Sequence, residues 1–391
     1  MSLEDLVKDG IKNIPAYIPG DTAESVEKKY GIAPEDILKL ASNENQFGPS
    51  PKAIEAMAKE VGRVHIYPDP FCIEIRKKIG VMNGFDDSGD NVVIAVGASG
   101  ILSLLGEVFI KKGDEVIFCE PTFGAYAGAV IRNDGTPVVL PLTEDLKFDL
   151  KAMYNAITDK TKMIVICSPN NPIGGILTKE TLEGVADVVK DKNLLICSDE
   201  IYERLTFDGE TAPSPALIPS LRDKTIIING FSKAFAMTGW RLGYACGPAP
   251  VIEQMVKLHQ FAIMCAPTNS QFAAVEALKN CDMEVEMMVE AYDQRRRFLL
   301  NAFKEMGLEC FEPYGAFYVF PSIKKFGMTS EEFATRLLSE QKLAVVPGTA
   351  FGASGEGFVR ISYAYSIENL KVGLERIQKF IESLGGNDGR I

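Results

Sequence analysis

Seven short apolar runs, none of them alternating, limit what this chain can fold into. They are VVIAV (92–96), EVIFC (115–119), PVVLP (137–141), MIVIC (163–167), LLICS (194–198), TIIIN (225–229) and LGYAC (242–246). A strand with one face in water alternates apolar and polar side chains, whereas a strand covered on both faces does not. Helix-patterned stretches lie between the runs, as at 99–112, 122–132 and 178–191, the last opening on Thr178 with Glu180 and Glu183 close behind. Acidic residues in a first turn suit the positive end of a helix. Strand alternating with helix implies an α/β fold with a mostly parallel sheet covered on both faces. The runs at 225–229 and 242–246 are too close for a helical crossover, so at least one strand is expected to be antiparallel.

Beyond about residue 282 the texture changes. A long helical stretch (282–306) leads to AFYVF (316–320), a helix (329–341), LAVVP (343–347), FVRIS (358–362) and a last helix (366–384). The 391 residues thus divide into a large domain, 51–281, and a smaller α+β domain, 282–391. Residues 1–50 lack a core of their own and are expected to pack on the small domain, and the terminal GGNDGR is expected to fray.

Composition narrows the function. A net charge of −12 disfavours nucleic-acid partners, because phosphate binding needs clustered Lys and Arg. No apolar run approaches the roughly 18 residues of a membrane span, and MSLEDLVKDGIK has no signal-peptide core, so a cytoplasmic protein is expected. The eight cysteines show no CxxC pair, and Cys119, Cys167, Cys197 and Cys246 fall in strand-like runs as buried thiols. With only His65 and His259, a histidine metal site or a Ser-His-Asp triad has little to draw on, and no metal is expected. Lysine, tyrosine and carboxylates must carry any chemistry.

Open α/β sheets bind ligands beyond the carboxyl ends of their strands. GASG follows the run at 92–96 and opens a helix, where backbone N–H groups can meet an anion. EPTFGAY brings Phe123, SPNNPIGG brings Asn171, DEIYERL brings Asp199 and Tyr202, and GFSKAF brings Lys233, with Arg241 following in TGWRLGY. Each piece alone also fits a plain turn or loop. Together they set an anion cradle, an aromatic face, an amide, a carboxylate, a phenol, a lysine and an arginine on one rim. There is no GxGxxG and no Gly-Lys pair to support a dinucleotide or P-loop site. A phosphorylated pyridine aldehyde held as a Schiff base, pyridoxal 5'-phosphate, needs this set.

SPNNPIGG, DEIYERL, SKAFAMTGWRLGY and GEGFVRISYA resemble the class I/II aminotransferases of the aspartate-aminotransferase fold, in the same order over almost the whole chain. The resemblance implies a fold type I transferase with a mostly parallel seven-stranded sheet. It also implies a homodimer with the cofactor near the subunit interface, and amino acids and 2-oxo acids as substrates. Carried over position by position, Lys233 would bind the cofactor and shuttle the Cα proton, with a pKa lowered from about 10.4 towards 7–8. Asp199 would face the pyridine nitrogen, Tyr202 and Asn171 the ring's phenolate oxygen, and Phe123 the ring face. Arg241, Ser232, Ser99 and the backbone of Ala98 would hold the phosphate, with Tyr67 of YPDP reaching the phosphate of the neighbouring subunit. Arg360 would take the substrate α-carboxylate as a two-bond fork that lysine cannot copy. Trp240 is assigned to packing, and the glycines beside it to close backbone approach.

The ends of the chain point to different substrates. IPAYIPG (14–20), LASNENQFGPSP (40–51) and YPDP (67–70) resemble histidinol-phosphate aminotransferases, which would set Tyr17 near the substrate. That family usually has an acidic pair where this chain reads GASGIL, and a phosphate-binding arginine where it reads LAVVPGTAFG. The VPGTAFG to GEGFVRISYA ending resembles aspartate and aromatic aminotransferases, which is the favoured reading, with histidinol phosphate as the alternative. A C–S lyase or decarboxylase would keep the same cofactor residues. A regulator would need a DNA-binding domain, for which no room is expected before residue 14.

Overall fold

The computed structural model describes residues 6–12, 14, 28–29, 31–143 and 146–385. The strands in chain order are β1 (Leu38–Lys39), β2 (Val92–Ala95), β3 (Glu115–Glu120), β4 (Thr136–Pro141), β5 (Thr161–Cys167) and β6 (Leu195–Asp199). They continue as β7 (Thr225–Gly230), β8 (Gly243–Cys246), β9 (Tyr318–Val319), β10 (Leu343–Ala344), β11 (Val346–Pro347) and β12 (Val359–Ser362). Strands β2 to β8 form one seven-stranded sheet in the order β2-β8-β7-β6-β5-β3-β4. Only β8 runs against its neighbours, pairing antiparallel with both β2 and β7. The short 225–246 spacing has this result: a chain with no crossover can only turn back.

Burial explains the missing alternation. Every residue of β2, β7 and β8 is buried, and the helices that cover the faces of the sheet include Gly97–Phe109 and, over β3, β5 and β6, Lys179–Val189. The second of these helices starts where Thr178 accepts a capping bond from the Thr181 N–H at 3.2 Å. PVVLP departs from the expectation of double cover. It forms β4 at the sheet edge, where Val139 is 41% exposed and where Pro137 and Pro141 are tolerated.

The C-terminal part carries a three-stranded antiparallel sheet, β11-β12-β9, with the helices Asp282–Glu305, Ser330–Gln341 and Ile367–Gly385. LAVVP is not one strand. It changes partner at Val345: β10 pairs parallel with β1, and β11 pairs antiparallel with β12. The N-terminal segment is bound there, with Leu40 N–H donating to Ala344 O at 2.9 Å and Ser362 N–H to Leu40 O at 2.8 Å. One hydrophobic core runs from Ile75 and Phe231 through Tyr292 and Phe317 to Leu370, joining the two parts. Among the described residues no helix is long and apolar enough to cross a membrane.

Candidate active site

Because β5, β6 and β7 are parallel and in register, their carboxyl ends lie side by side, with Cys167 beside Asp199 and Asp199 beside Ile228. Asp199 ends β6 and is buried. It accepts a bond from Tyr126 Oη at 2.6 Å and another from the Ile201 N–H at 3.2 Å. Burial raises its pKa, while the Tyr126 hydroxyl, the Ile201 amide and the Lys233 charge hold it down.

Lys233 lies in the turn after β7 and is also buried. Its Nζ donates to Asn43 O at 2.5 Å and stands 5.9 Å from the centre of the Tyr202 ring. Its backbone carbonyl is held by Asn45 Nδ2 at 2.9 Å, and Asn45 Oδ1 in turn accepts from Tyr292 Oη at 2.6 Å. Burial first, and then the Arg360 charge, push the Lys233 ammonium down to about 8. Glu44 and Asp199 oppose that shift, and Arg241 adds to it.

Arg241 adopts a left-handed backbone with φ 54° and donates from Nη1 to Thr238 O at 3.0 Å. Its guanidinium lies against the start of the helix Gly97–Phe109, so close that a Cβ at Gly97 would come within 2.7 Å of Arg241 Nη2. Gly243 is constrained likewise, since a Cβ there would lie 2.5 Å from Ala98 N, whereas Gly239 has open space around it. Close approach therefore explains only the second glycine of TGWRLG. Among the described residues no side chain caps the N-terminus of this helix, so its first N–H groups, those of Ala98 and Ser99 included, face an anion-suited position beside Arg241. Ser232 is buried in the same turn as Lys233, and Thr238 Oγ1 donates to its carbonyl at 2.9 Å.

Arg360 projects from β12. Its Nη1 donates to Asn171 Oδ1 at 2.8 Å and its Nη2 to Ala41 O at 2.7 Å. The guanidinium stands 4.3 Å from the Tyr318 ring centre and 4.8 Å from that of Phe351. Its Nε is buried and has no partner among the described residues. Tyr202 is buried, with its hydroxyl 2.8 Å from that of Tyr318. Phe123 is half-buried and edge-on to Tyr126, the ring centres 5.9 Å apart at 90°. Trp240 is partly buried against the main core.

The structure thus gathers Lys233, Asp199, Tyr202, Asn171, Arg241, Ser232, Ala98, Ser99, Phe123 and Arg360 around the strand ends. Tyr67 stands apart at 76% exposure. Tyr17 lies outside the described residues. Four contributors were not anticipated from the sequence: Tyr126, Tyr318 and the pair Asn43 and Asn45. Tyr126 had a signal, since it is three residues after Phe123 and so on the same face of a helical turn. Asn45 lies in LASNEN but carries no feature that aims it at Lys233.

The seven-stranded, mostly parallel sheet, with a buried lysine, a buried carboxylate and two arginines at its carboxyl rim, is that of the aspartate-aminotransferase fold. Residues 35–377 match the family Aminotransferase class I and II, and the chain belongs to that family as a transaminase. It is 39% identical to an aspartate aminotransferase of Pyrococcus abyssi, over 91% of this chain and 95% of that protein. It is also 39% identical to aromatic-amino-acid aminotransferase 2 of Thermococcus litoralis, over 89% and 92% of the two chains. The structure superposes on that of an aspartate aminotransferase from Thermus thermophilus with maleate at a TM-score of 0.86. The two are 34% identical, with 95% of this chain and 99% of the other covered.

Proposed function

We propose that this chain holds pyridoxal 5'-phosphate on Lys233 and moves an amino group between an amino acid and a 2-oxo acid in two half-reactions, with aspartate or aromatic amino acids as preferred donors. The observation that carries this is Lys233 itself, buried, brought down to about 8, and sharing one cleft with Asp199 and Arg360. The residues present fit the group: an uncapped helix start beside Arg241 suits a phosphate, and the orphaned Nε of Arg360 suits a carboxylate. When bound, the cofactor's ring supplies the sink for electrons released at the substrate Cα.

The chain's own residues do the rest. Lys233 anchors the cofactor and then, freed as an amine, takes and returns the Cα proton. Asp199 keeps the ring nitrogen protonated, and Tyr126 keeps Asp199 ionised and aimed. Tyr202 and Asn171 donate to the phenolate oxygen, and Phe123 covers the ring. Ala98, Ser99, Ser232 and Arg241 hold the phosphate, and Arg360 takes the α-carboxylate. Tyr17 is kept as a substrate contact. Two chains share the sites, with Tyr67 serving the neighbouring phosphate. In support, residues 61–73 leave Val61, Val64, Ile66, Tyr67, Phe71 and Ile73 exposed, an apolar surface that a second chain would cover. Domains of 51–281 and 282–391, with 1–50 packed on the latter, and a cytoplasmic location complete the proposal; the eight cysteines are all free.

The relatives' names favour aspartate and aromatic substrates over histidinol phosphate. No cation stands at Val345, Val346 or Pro347 to meet a substrate phosphate. Borohydride reduction of the loaded enzyme and peptide mapping should place the adduct on Lys233. A screen of aspartate, phenylalanine and histidinol phosphate against 2-oxoglutarate should favour the amino acids. An adduct on another lysine, or histidinol phosphate preferred by orders of magnitude, would overturn the assignment.

A further inference from the structure

Glu120 ends β3 in the large sheet and is half-buried. Its carboxylate faces a loop of the other domain, where the backbone amides of Ala353 and Ser354 lower its pKa against the rise from burial. Gly352 packs against the same carboxylate, with φ +107° and no space for a Cβ. Two residues along, the Thr122 N–H donates to Phe351 O at 2.9 Å. The loop therefore meets the end of β3 at two points, the packing of Gly352 on Glu120 and the hydrogen bond at Thr122. On its own side it is tied by Thr349 Oγ1 donating to Glu331 Oε1 at 2.9 Å.

What the loop carries is Phe351, whose ring stands 4.8 Å from the Arg360 guanidinium, with the Tyr318 ring also in contact at 4.3 Å. Two rings hold the planar fork by their faces and keep water from it. The Phe351 ring has no polar group, so its place depends on the backbone of residues 351–354, held in part by the bond from Thr122. We propose that Glu120 is a positioning residue. Its carboxylate pins the 348–355 loop to the large sheet, sets Phe351 against Arg360, and so orients the arginine that meets the substrate. This rests on the proposed role of Arg360 as the carboxylate site. The requirement falls on both half-reactions, because amino acid and 2-oxo acid each present a carboxylate. It does not fall on the cofactor, whose proposed contacts lie on Lys233, Asp199 and the helix start.

The test compares wild type, Glu120→Ala, Glu120→Gln and Gly352→Ala as holoenzymes. Glu120→Ala should raise KM for both aspartate and 2-oxoglutarate about tenfold, with kcat within about twofold and the cofactor spectrum unchanged. Amide exchange in a peptide spanning 348–356 should quicken by about tenfold or more. Glu120→Gln, which keeps one acceptor oxygen, should recover part of both effects. Gly352→Ala drives a methyl into the carboxylate and should copy Glu120→Ala, with a smaller added effect when the two are combined. Unchanged KM in Glu120→Ala overturns the proposal, as does unchanged exchange, or a fall in thermal midpoint alone. Arg360→Lys is the control. If it leaves KM unmoved, the carboxylate role of Arg360 fails, while the exchange measurement still judges the latch.

Discussion

Replacing Lys233 with Met should make the cofactor-free protein more stable at neutral pH. The Lys233 ammonium is brought from an ordinary 10.5 to about 8 by burial and by Arg360. Below pH 8 folded and unfolded chains both carry the proton, and the full cost of the buried charge weighs on the fold. Between about 8 and 10.5 the unfolded chain keeps a proton that the folded chain has released, so wild-type stability rises with pH. Above that window the cost is gone. At about 1.4 kcal/mol per tenfold, the difference amounts to roughly 3 kcal/mol. Met keeps the aliphatic stem but forfeits the bond to Asn43 O, about 1 kcal/mol. The variant should therefore be more stable by about 2 kcal/mol at pH 7 and less stable by about 1 kcal/mol near pH 10.5. Urea midpoints of both cofactor-free proteins, at one protein concentration from pH 6 to 10.5, read this, because titrating groups that do not interact with Lys233 cancel in the difference. A difference independent of pH, or a wild type already more stable at pH 7, would refute the reasoning.

Three further outcomes are expected. Arg360→Lys should lower kcat/KM for aspartate and phenylalanine by about 30-fold to several thousandfold, the equivalent of about 2–5 kcal/mol for a two-bond charged contact; a loss under threefold would exclude the role. Tyr126→Phe removes a hydroxyl that holds the Asp199 pKa down, so the acid limb of the kcat/KM profile should move to higher pH, and an unmoved limb would separate Tyr126 from Asp199. Sedimentation at micromolar concentration should show a dimer, and Tyr67→Phe should weaken cofactor retention; a fully active monomer would remove the sharing of sites.

What could be read in advance follows from where structural information is stored. Asp199 and Lys233 were legible because a parallel sheet forces whatever follows each strand to one rim, and strand runs are visible in sequence. The antiparallel β8 was legible from spacing alone. β4 was less so: PVVLP has the composition of a buried strand, and only the strand order makes it an edge. The split of LAVVP was not legible, because β1 lies far away in sequence and local propensity says nothing of whether β1 or β12 waits for each half. Nor were the acceptors at Ala41 and Asn43, since any residue supplies a backbone carbonyl. Tyr126 was hidden by its type, an aromatic on a helix that reads as core packing and is also the partner of a buried carboxylate.

The electrostatics of the rim give the proposed roles their coherence. The chain is acidic overall, at −12, yet Lys233, Arg241 and Arg360 act on one another across a single cleft. Crowded cations are unfavourable until anions arrive, and the two that the proposal names, a phosphate at Arg241 and a carboxylate at Arg360, are the ones that relieve it. In the cofactor-free chain the Arg360 charge helps to bring Lys233 down to about 8. Once a carboxylate neutralises Arg360, that pressure is lifted and the lysine nitrogen gains proton affinity, which suits a group about to remove a proton from Cα. One arginine would thus recognise the substrate and, through its field, time the basicity of the lysine. The carbonyls of Ala41 and Asn43, on one short N-terminal segment, hold both cations in place.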